Sequence, residues 1–128
     1  MAGHLRRRRL IDHPREWAEL EDRESKRVDD IVLAFDIGRD RRTALVVCGR
    51  RVDDLLHVEL LRSDSGSSWL RERLEYSDAT YDVHAIVCDG YGGNLALVPA
   101  LEEAGLRIRT MSGAEHASAC SKLLDLVA

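Results

Sequence analysis

Two stretches of the chain run apolar for several residues and then stop on an acid: Ile31–Asp36 (IVLAFD) and Val83–Asp89 (VHAIVCD). A short apolar run of this length, bounded by turn residues, is the pattern of a buried central strand. Between them lie two further strand patterns. Thr43–Cys48 (TALVVC) is rich in β-formers, and in Leu55–Leu61 (LLHVELL) His57 and Glu59 alternate with Leu56, Val58 and Leu60, as in a half-exposed strand. Gly38 through Arg42 and Gly49–Asp54 read as turns, so the first three strands are expected to form an antiparallel meander.

Beyond the meander the period changes. Ser63–Ser68 is turn-rich, and Ser67 or Ser68 is placed to cap a helix over Trp69–Tyr76. After Asp89 the glycine-rich turn Gly90–Gly93 leads into a helix holding Leu97, Leu101 and Ala104. Gly105 stands at its C′ position, and Pro99 is expected in its first turn. Leu106–Thr110 is a short fifth strand. Ser112 and Glu115 form an S-x-x-E capping box, opening a last helix with His116, Cys120, Leu123, Leu124 and Val127 on one face. The order β-β-β-α-β-α-β-α predicts an α/β fold: a mixed five-stranded sheet flanked by helices. The ribonuclease-H-like fold has this element order.

Residues 1–29 break the pattern. They are charged, carry Pro14 and lack a long apolar periodicity, which reads as an N-terminal arm or linker; Trp17 and Leu20 are its isolated anchors, with a short helix over Pro14–Glu24. The domain proper is then 30–128. At 128 residues the chain is long enough for one domain with a real core. Because it holds only two Trp, three Tyr and one Phe, that core must rest on aliphatic side chains. No apolar run is long enough to span a bilayer and the first residues lack a signal-peptide stretch, so a cytoplasmic location is expected.

Charge and cysteine change the picture only locally. The net charge of −4 gives no general affinity for nucleic acid, but Arg6–Arg9 and the group Arg39, Arg41 and Arg42 are basic clusters made of arginine. Arginine suits bidentate phosphate contacts better than lysine does. Cys48, Cys88 and Cys120 are scattered, with no CxxC pair, and each falls in an apolar segment, which favours reduced, buried thiols. His116 and Cys120 are four apart, but no second ligand pair accompanies them as a zinc site would require.

Asp36 and Asp89 carry the most chemistry. A carboxylate closing a buried strand is costly unless it is hydrogen-bonded, paired or bound to a cation. Were the two strands neighbours, the acids would converge, and a divalent metal would relieve their repulsion. Metal-dependent phosphodiester cleavage uses such a pair, and Mg²⁺ needs only a few protein oxygens. The bland alternative is that Asp ends strands because it favours turns. In the same way, Gly90–Gly93 suits either phosphate contact through backbone N–H groups or a plain flexible turn.

The residues also resemble a known family. Leu33-Ala34-Phe35-Asp36-Ile37-Gly38-Arg39-Asp40-Arg41-Arg42-Thr43-Ala44 resembles the first acidic motif of actinobacterial phage terminase large subunits. Ala85-Ile86-Val87-Cys88-Asp89, the glycines after it, and Leu97 through Gly105 resemble the second acidic motif and its following helix. Ser112 to Cys120 and Leu123 to Val127 are similar to the family's next helix, and Trp17 and Ser25 to its linker. The resemblance covers roughly residues 15 to 128 in order. It departs at Gly38-Arg39, where a Ser-Pro type step is common, and at Gly90–Asn94, where the family has a Pro-containing loop.

The resemblance implies a nuclease acting on double-stranded DNA during packaging. Asp36 and Asp89 would be its catalytic, metal-binding acids, with Mg²⁺ or Mn²⁺ as the two-metal cofactor and Arg39, Arg41 and Arg42 near the DNA. A full-length relative would join this domain to an ATPase motor and work with a portal and a small terminase subunit. The family's third acid lies beyond the Ala119-Cys120 helix, and the chain has no G-x-x-x-x-G-K-[ST] phosphate loop. The expectation is therefore a partial gene product or prophage remnant, weak or inactive. Glu115 and Asp125 are poor substitutes, the first being a capping partner and the second a solvent-facing helix residue. Two other readings stay open: an actin- or sugar-kinase-like nucleotide-binding fragment, through Asp36-Ile37-Gly38 and Asp89-Gly90, and a Holliday-junction resolvase-like nuclease.

Overall fold

The computed structural model describes residues 18–28 and 30–127. The Arg6–Arg9 run, Pro14 and Trp17 lie outside them, as does the side chain of Val127. Five strands, β1 (Ile31–Ile37), β2 (Arg42–Arg50), β3 (Leu56–Ser65), β4 (Val83–Asp89) and β5 (Ile108–Met111), form one mixed sheet in the order β3-β2-β1-β4-β5. Three helices, α1 (Leu70–Thr80), α2 (Gly92–Glu103) and α3 (Gly113–Val127), complete the predicted order. The β1-β2-β3 meander is antiparallel, whereas β4 lies parallel to β1 and β5 parallel to β4.

The strand side chains sort into two faces. Ile31, Leu33 and Phe35 of β1, Leu45 and Val47 of β2, and Ile86 and Cys88 of β4 point to one side. There they meet Leu70 and Leu74 of α1 and Leu101 of α2 in the core. Burying these apolar side chains is the main driving term, about 1.5–3 kcal/mol for each Leu, Ile, Val or Phe. α1 carries the chain from the β3 edge across to β4, which explains why its leucines are fully buried. The opposite face presents Val32, Ala34, Val46, Cys48, Ala85 and Val87, all only partly covered.

Several boundaries differ from the pattern-based expectation, each for a physical reason. β3 continues through Ser63–Ser65, expected as loop, because Arg42, Thr43 and Ala44 supply backbone partners for Ser65, Asp64 and Ser63. It is half-exposed, as its alternation implies, but the one buried residue of that stretch is the polar His57, and Glu59 stays exposed. His57 pairs with Gly49 and lies beneath Ser25, while Leu56, Val58 and Leu60 are more than half exposed. α1 runs on to Thr80 and has Trp69, not Ser67 or Ser68, at its N-cap, with no side-chain cap bond. α2 begins at Gly92, so Pro99 sits well inside it and not in the first turn. The amide missing at Pro99 would have bonded the carbonyl of Leu95, a residue on the exposed side. β5 starts at Ile108, two residues later than expected. Cys88 is buried, but Cys48 and Cys120 are only half-buried.

Other local expectations match. Gly105, at φ +90°, closes α2 in a Schellman motif: its N–H donates to Glu102 O (2.9 Å), and Leu106 N–H donates to Leu101 O (3.2 Å). The capping box at α3 is reciprocal, with Glu115 N–H donating to Ser112 Oγ (3.1 Å) and Ser112 N–H to Glu115 Oε1 (3.3 Å). Those bonds hold the Glu115 carboxyl below its usual range. The residues before Ile31 are joined to the sheet: Val28 N–H donates to Arg50 O, Ser25 Oγ lies 2.9 Å from His57 Nδ1, and Arg27 pairs with Glu59. No described helix is long and apolar enough to cross a membrane.

Candidate functional site

Asp36 and Asp89 sit at the C-terminal ends of the two central parallel strands. Ala34 is in register with Val87, and continuing that register by two residues sets Asp36 beside Asp89 on the same face. The contact between them is made by a third residue. Asn94 Nδ2 donates to Asp36 Oδ1 at 2.9 Å and to Asp89 Oδ1 at 2.7 Å. Its Oδ1 accepts from Ile37 N–H at 2.8 Å. One buried amide, 1% exposed, therefore spans both carboxylates and ties them to the end of β1.

The glycines explain how α2 reaches this place. A Cβ at Gly93 would lie 3.3 Å from Ile37 Cγ2, so the absent side chain lets the helix start close against β1. Gly92 has φ +58°, a left-handed conformation that glycine adopts without strain. Tyr91 N–H donates to Asp89 Oδ1 (3.3 Å), which fixes the turn. The Gly90–Gly93 segment thus has a definite job in placing Asn94.

Among the described residues neither acid pairs with an arginine, lysine or histidine, and the Oδ2 atoms of Asp36 and Asp89 have no hydrogen-bond partner. The negative charge is felt nearby. Burial, and then the charges of Asp89 and Asp36, push the Cys88 thiol up to about 11. Two convergent carboxylates, each with one oxygen free of hydrogen bonds among the described residues and with no counter-charge there, suit a hard divalent cation that keeps most of its waters. Among the described residues no group of three His, Cys, Asp or Glu side chains converges, so the pair stands without a third acid.

The three arginines take different positions. Arg42 is tied down, its Nε donating to Ser63 Oγ (3.1 Å) and its Nη2 to Ser63 O (3.2 Å). Arg39 and Arg41 project from the exposed β1–β2 turn that follows Asp36 and Ile37. Arg41 holds φ +61°, stabilised by its N–H to Gly38 O and its carbonyl to Gly66 N–H. A Cβ at Gly38 would come within 2.8 Å of Asp40 Oδ1, so a side chain there would displace the carboxylate that accepts from Arg42 N–H. Glu115 and Asp125 belong to α3, which touches β5 and no other strand closely, and Glu115 is occupied by Ser112 and Arg109. His116 Nδ1 and Cys120 Sγ are 3.9 Å apart on the same helix.

Asn94 is the residue that pattern reading passed over. Its signal was its place: five residues after a strand-ending acid, directly after two glycines. Comparisons of the chain with protein-family models, with curated proteins and with solved structures found no match.

Proposed function

We propose that the chain is the nuclease part of a phage or prophage terminase large subunit, with a ribonuclease-H-like sheet and a divalent-cation site at Asp36 and Asp89. The strand order, with a meander followed by two parallel additions beside β1, supports the fold. One observation carries the chemistry: Asn94 Nδ2 lies within hydrogen-bond distance of both carboxylates. That arrangement concentrates two negative charges at one point on the strand ends, beside a turn bearing two exposed arginines.

Bound Mg²⁺ or Mn²⁺ would supply water activation and stabilisation of the leaving oxygen in phosphodiester hydrolysis. The chain's own contribution is to hold the acids. Asn94 acts as a positioning residue, taking one oxygen of each carboxylate and leaving the other unbonded among the described residues. Arg39 and Arg41 would meet DNA phosphates, and Arg42, braced by Ser63, would hold the turn that carries them. With two acids and no third among the described residues, weak cation binding and slow or absent cleavage are expected. In a longer relative, the partners would be double-stranded DNA, an ATPase motor, the portal and the small subunit.

The test is Mn²⁺ titration followed by its paramagnetic effect on water relaxation, together with Mn²⁺-dependent nicking of supercoiled plasmid. Mn²⁺ binding that is lost in Asp36→Ala supports the reading, whether or not nicking is fast. Absence of both Mn²⁺ and DNA binding in the folded protein would leave the Asn94 bridge as a purely structural clamp. Preference for four-way junctions would move the substrate to the resolvase type, and protection by ATP without DNA binding would select the nucleotide-binding alternative.

A further inference from the structure

An unusual edge lies at the far side of the sheet from β5. Among the described residues β3 has one neighbour, β2, so its outer backbone edge is unpaired. Long edge strands usually carry a proline, a bulge or an outward charge that blocks pairing with another chain. In β3 the register shift falls between Leu60 and Arg62, leaving the regular stretch Leu56–Leu60 ahead of it. That stretch has no proline or lysine, and its one formal charge, Glu59, lies on the core side of the sheet, exposed but paired within the chain with Arg27 and His57.

We infer that β3 pairs with β3 of a second copy of this chain, antiparallel and centred on Val58, to join two sheets edge to edge. The argument is self-complementarity. A twofold axis perpendicular to the sheet keeps each face continuous, so paired residues must share a face, and only every second register is allowed. Centring on Val58 sets Val58 against its own copy and Leu56 against Leu60 on the open face. On the other face it sets His57 against Glu59, polar against polar, with His57 itself buried and both its ring nitrogens already met within its own chain by Ser25 and Glu59. Centring on Glu59 would oppose two carboxylates, and centring on His57 would set Glu59 against Leu55. The Val58 register alone matches apolar with apolar and polar with polar.

Exposure fits this occupant. Leu56 is 52%, Val58 55% and Leu60 59% exposed, a row that continues the partly covered face formed by Val46 and Cys48. Five residues a side is fewer than the roughly twenty that a stable interface uses, so the pairing is reversible and concentration-dependent.

Sedimentation equilibrium of the full chain over a wide concentration range is the test, with Val58→Lys and Leu124→Lys compared with the wild type. The expected result is a monomer–dimer equilibrium whose dissociation constant rises roughly tenfold or more in Val58→Lys, where two like charges would meet, and is unchanged in Leu124→Lys. Val58 is exposed, so an unchanged thermal midpoint verifies that Val58→Lys still folds. The register has its own readout: Val58→Cys should form a disulfide-linked dimer on mild oxidation, absent from the wild type. A monomer at every concentration overturns the inference. So does a dimer that survives Val58→Lys, or one abolished by Leu124→Lys instead.

Discussion

Replacing Asn94 with alanine removes three hydrogen bonds from a residue that is almost wholly buried. Two of those bonds end on carboxylates, and bonds to charged groups contribute about 1.5–3 kcal/mol each. Asp36 is exposed, so its share belongs at the low end. The third loss strands the Ile37 N–H, which costs about 1–3 kcal/mol if no water replaces the amide oxygen. Groups in one network are not additive, and a net loss of about 3–5 kcal/mol is expected. A domain of this size is stable by about 5–15 kcal/mol, so the variant should fold but unfold at markedly lower urea. Equilibrium urea unfolding followed by circular dichroism measures this directly. Asn94→Asp adds a second readout. It retains the acceptor for Ile37 but puts a third carboxylate against the other two, so without divalent cation it should be about as unstable as Asn94→Ala. Saturating Mn²⁺, at about a hundred times its dissociation constant, should restore about 2.7 kcal/mol. A loss below about 1 kcal/mol in Asn94→Ala would refute the bridge. Asn94→Asp indifferent to Mn²⁺ would refute the cation site.

Three further outcomes follow from the same structure. Thr43 is fully buried and its Oγ1 has no partner among the described residues, so Thr43→Val should stabilise the fold by about 1 kcal/mol, read as a higher urea midpoint at unchanged slope. The Cys88 thiol ionises later in the folded chain, so the stability it contributes is complete below its ordinary value of about 9 and is lost as pH rises through about 11; Cys88→Ala should flatten that alkaline decline, whose size is roughly 2 kcal/mol. Its alkylation at pH 8 should lag behind that of Cys120. Replacing Arg39, Arg41 and Arg42 together with alanine should weaken binding to duplex DNA and reduce its salt dependence, measured by fluorescence anisotropy; an unchanged salt slope would exclude the turn from the DNA contact.

What could be read from the chain was what local residues decide alone. IVLAFD and VHAIVCD declared β1 and β4 because central strands, apolar on both faces even where one is only partly covered, carry almost no polar alternation to disguise them. The Ser112/Glu115 box and Gly105 declared two helix ends because each motif satisfies its own backbone groups. β3 was legible as a strand but not in its orientation. Leu56, Val58 and Leu60 face the open side because pairing with Arg50, Cys48 and Val46 dictates it, and a register set by another strand leaves no mark within LLHVELL itself. Pro99 misled for a related reason: helix interiors reject proline in isolation, yet packing of Leu101 and the Asn94 bonds hold α2 together across it. The site was half visible. Both acids stood out by ending apolar runs, whereas Asn94 acquires its meaning only once β1 and β4 lie side by side.

The contact of Gly93 with Ile37 reaches further than a tolerance for small size. Asn94 is the next residue, so the gap between helix backbone and isoleucine acts as a spacer that gauges how deep the amide sits between the acids. A single added methyl at 3.3 Å would lift the helix start by a few tenths of an ångström. The geometry of the most polar spot in the molecule is thereby calibrated by hydrocarbon, and a change bearing no charge at all would detune it.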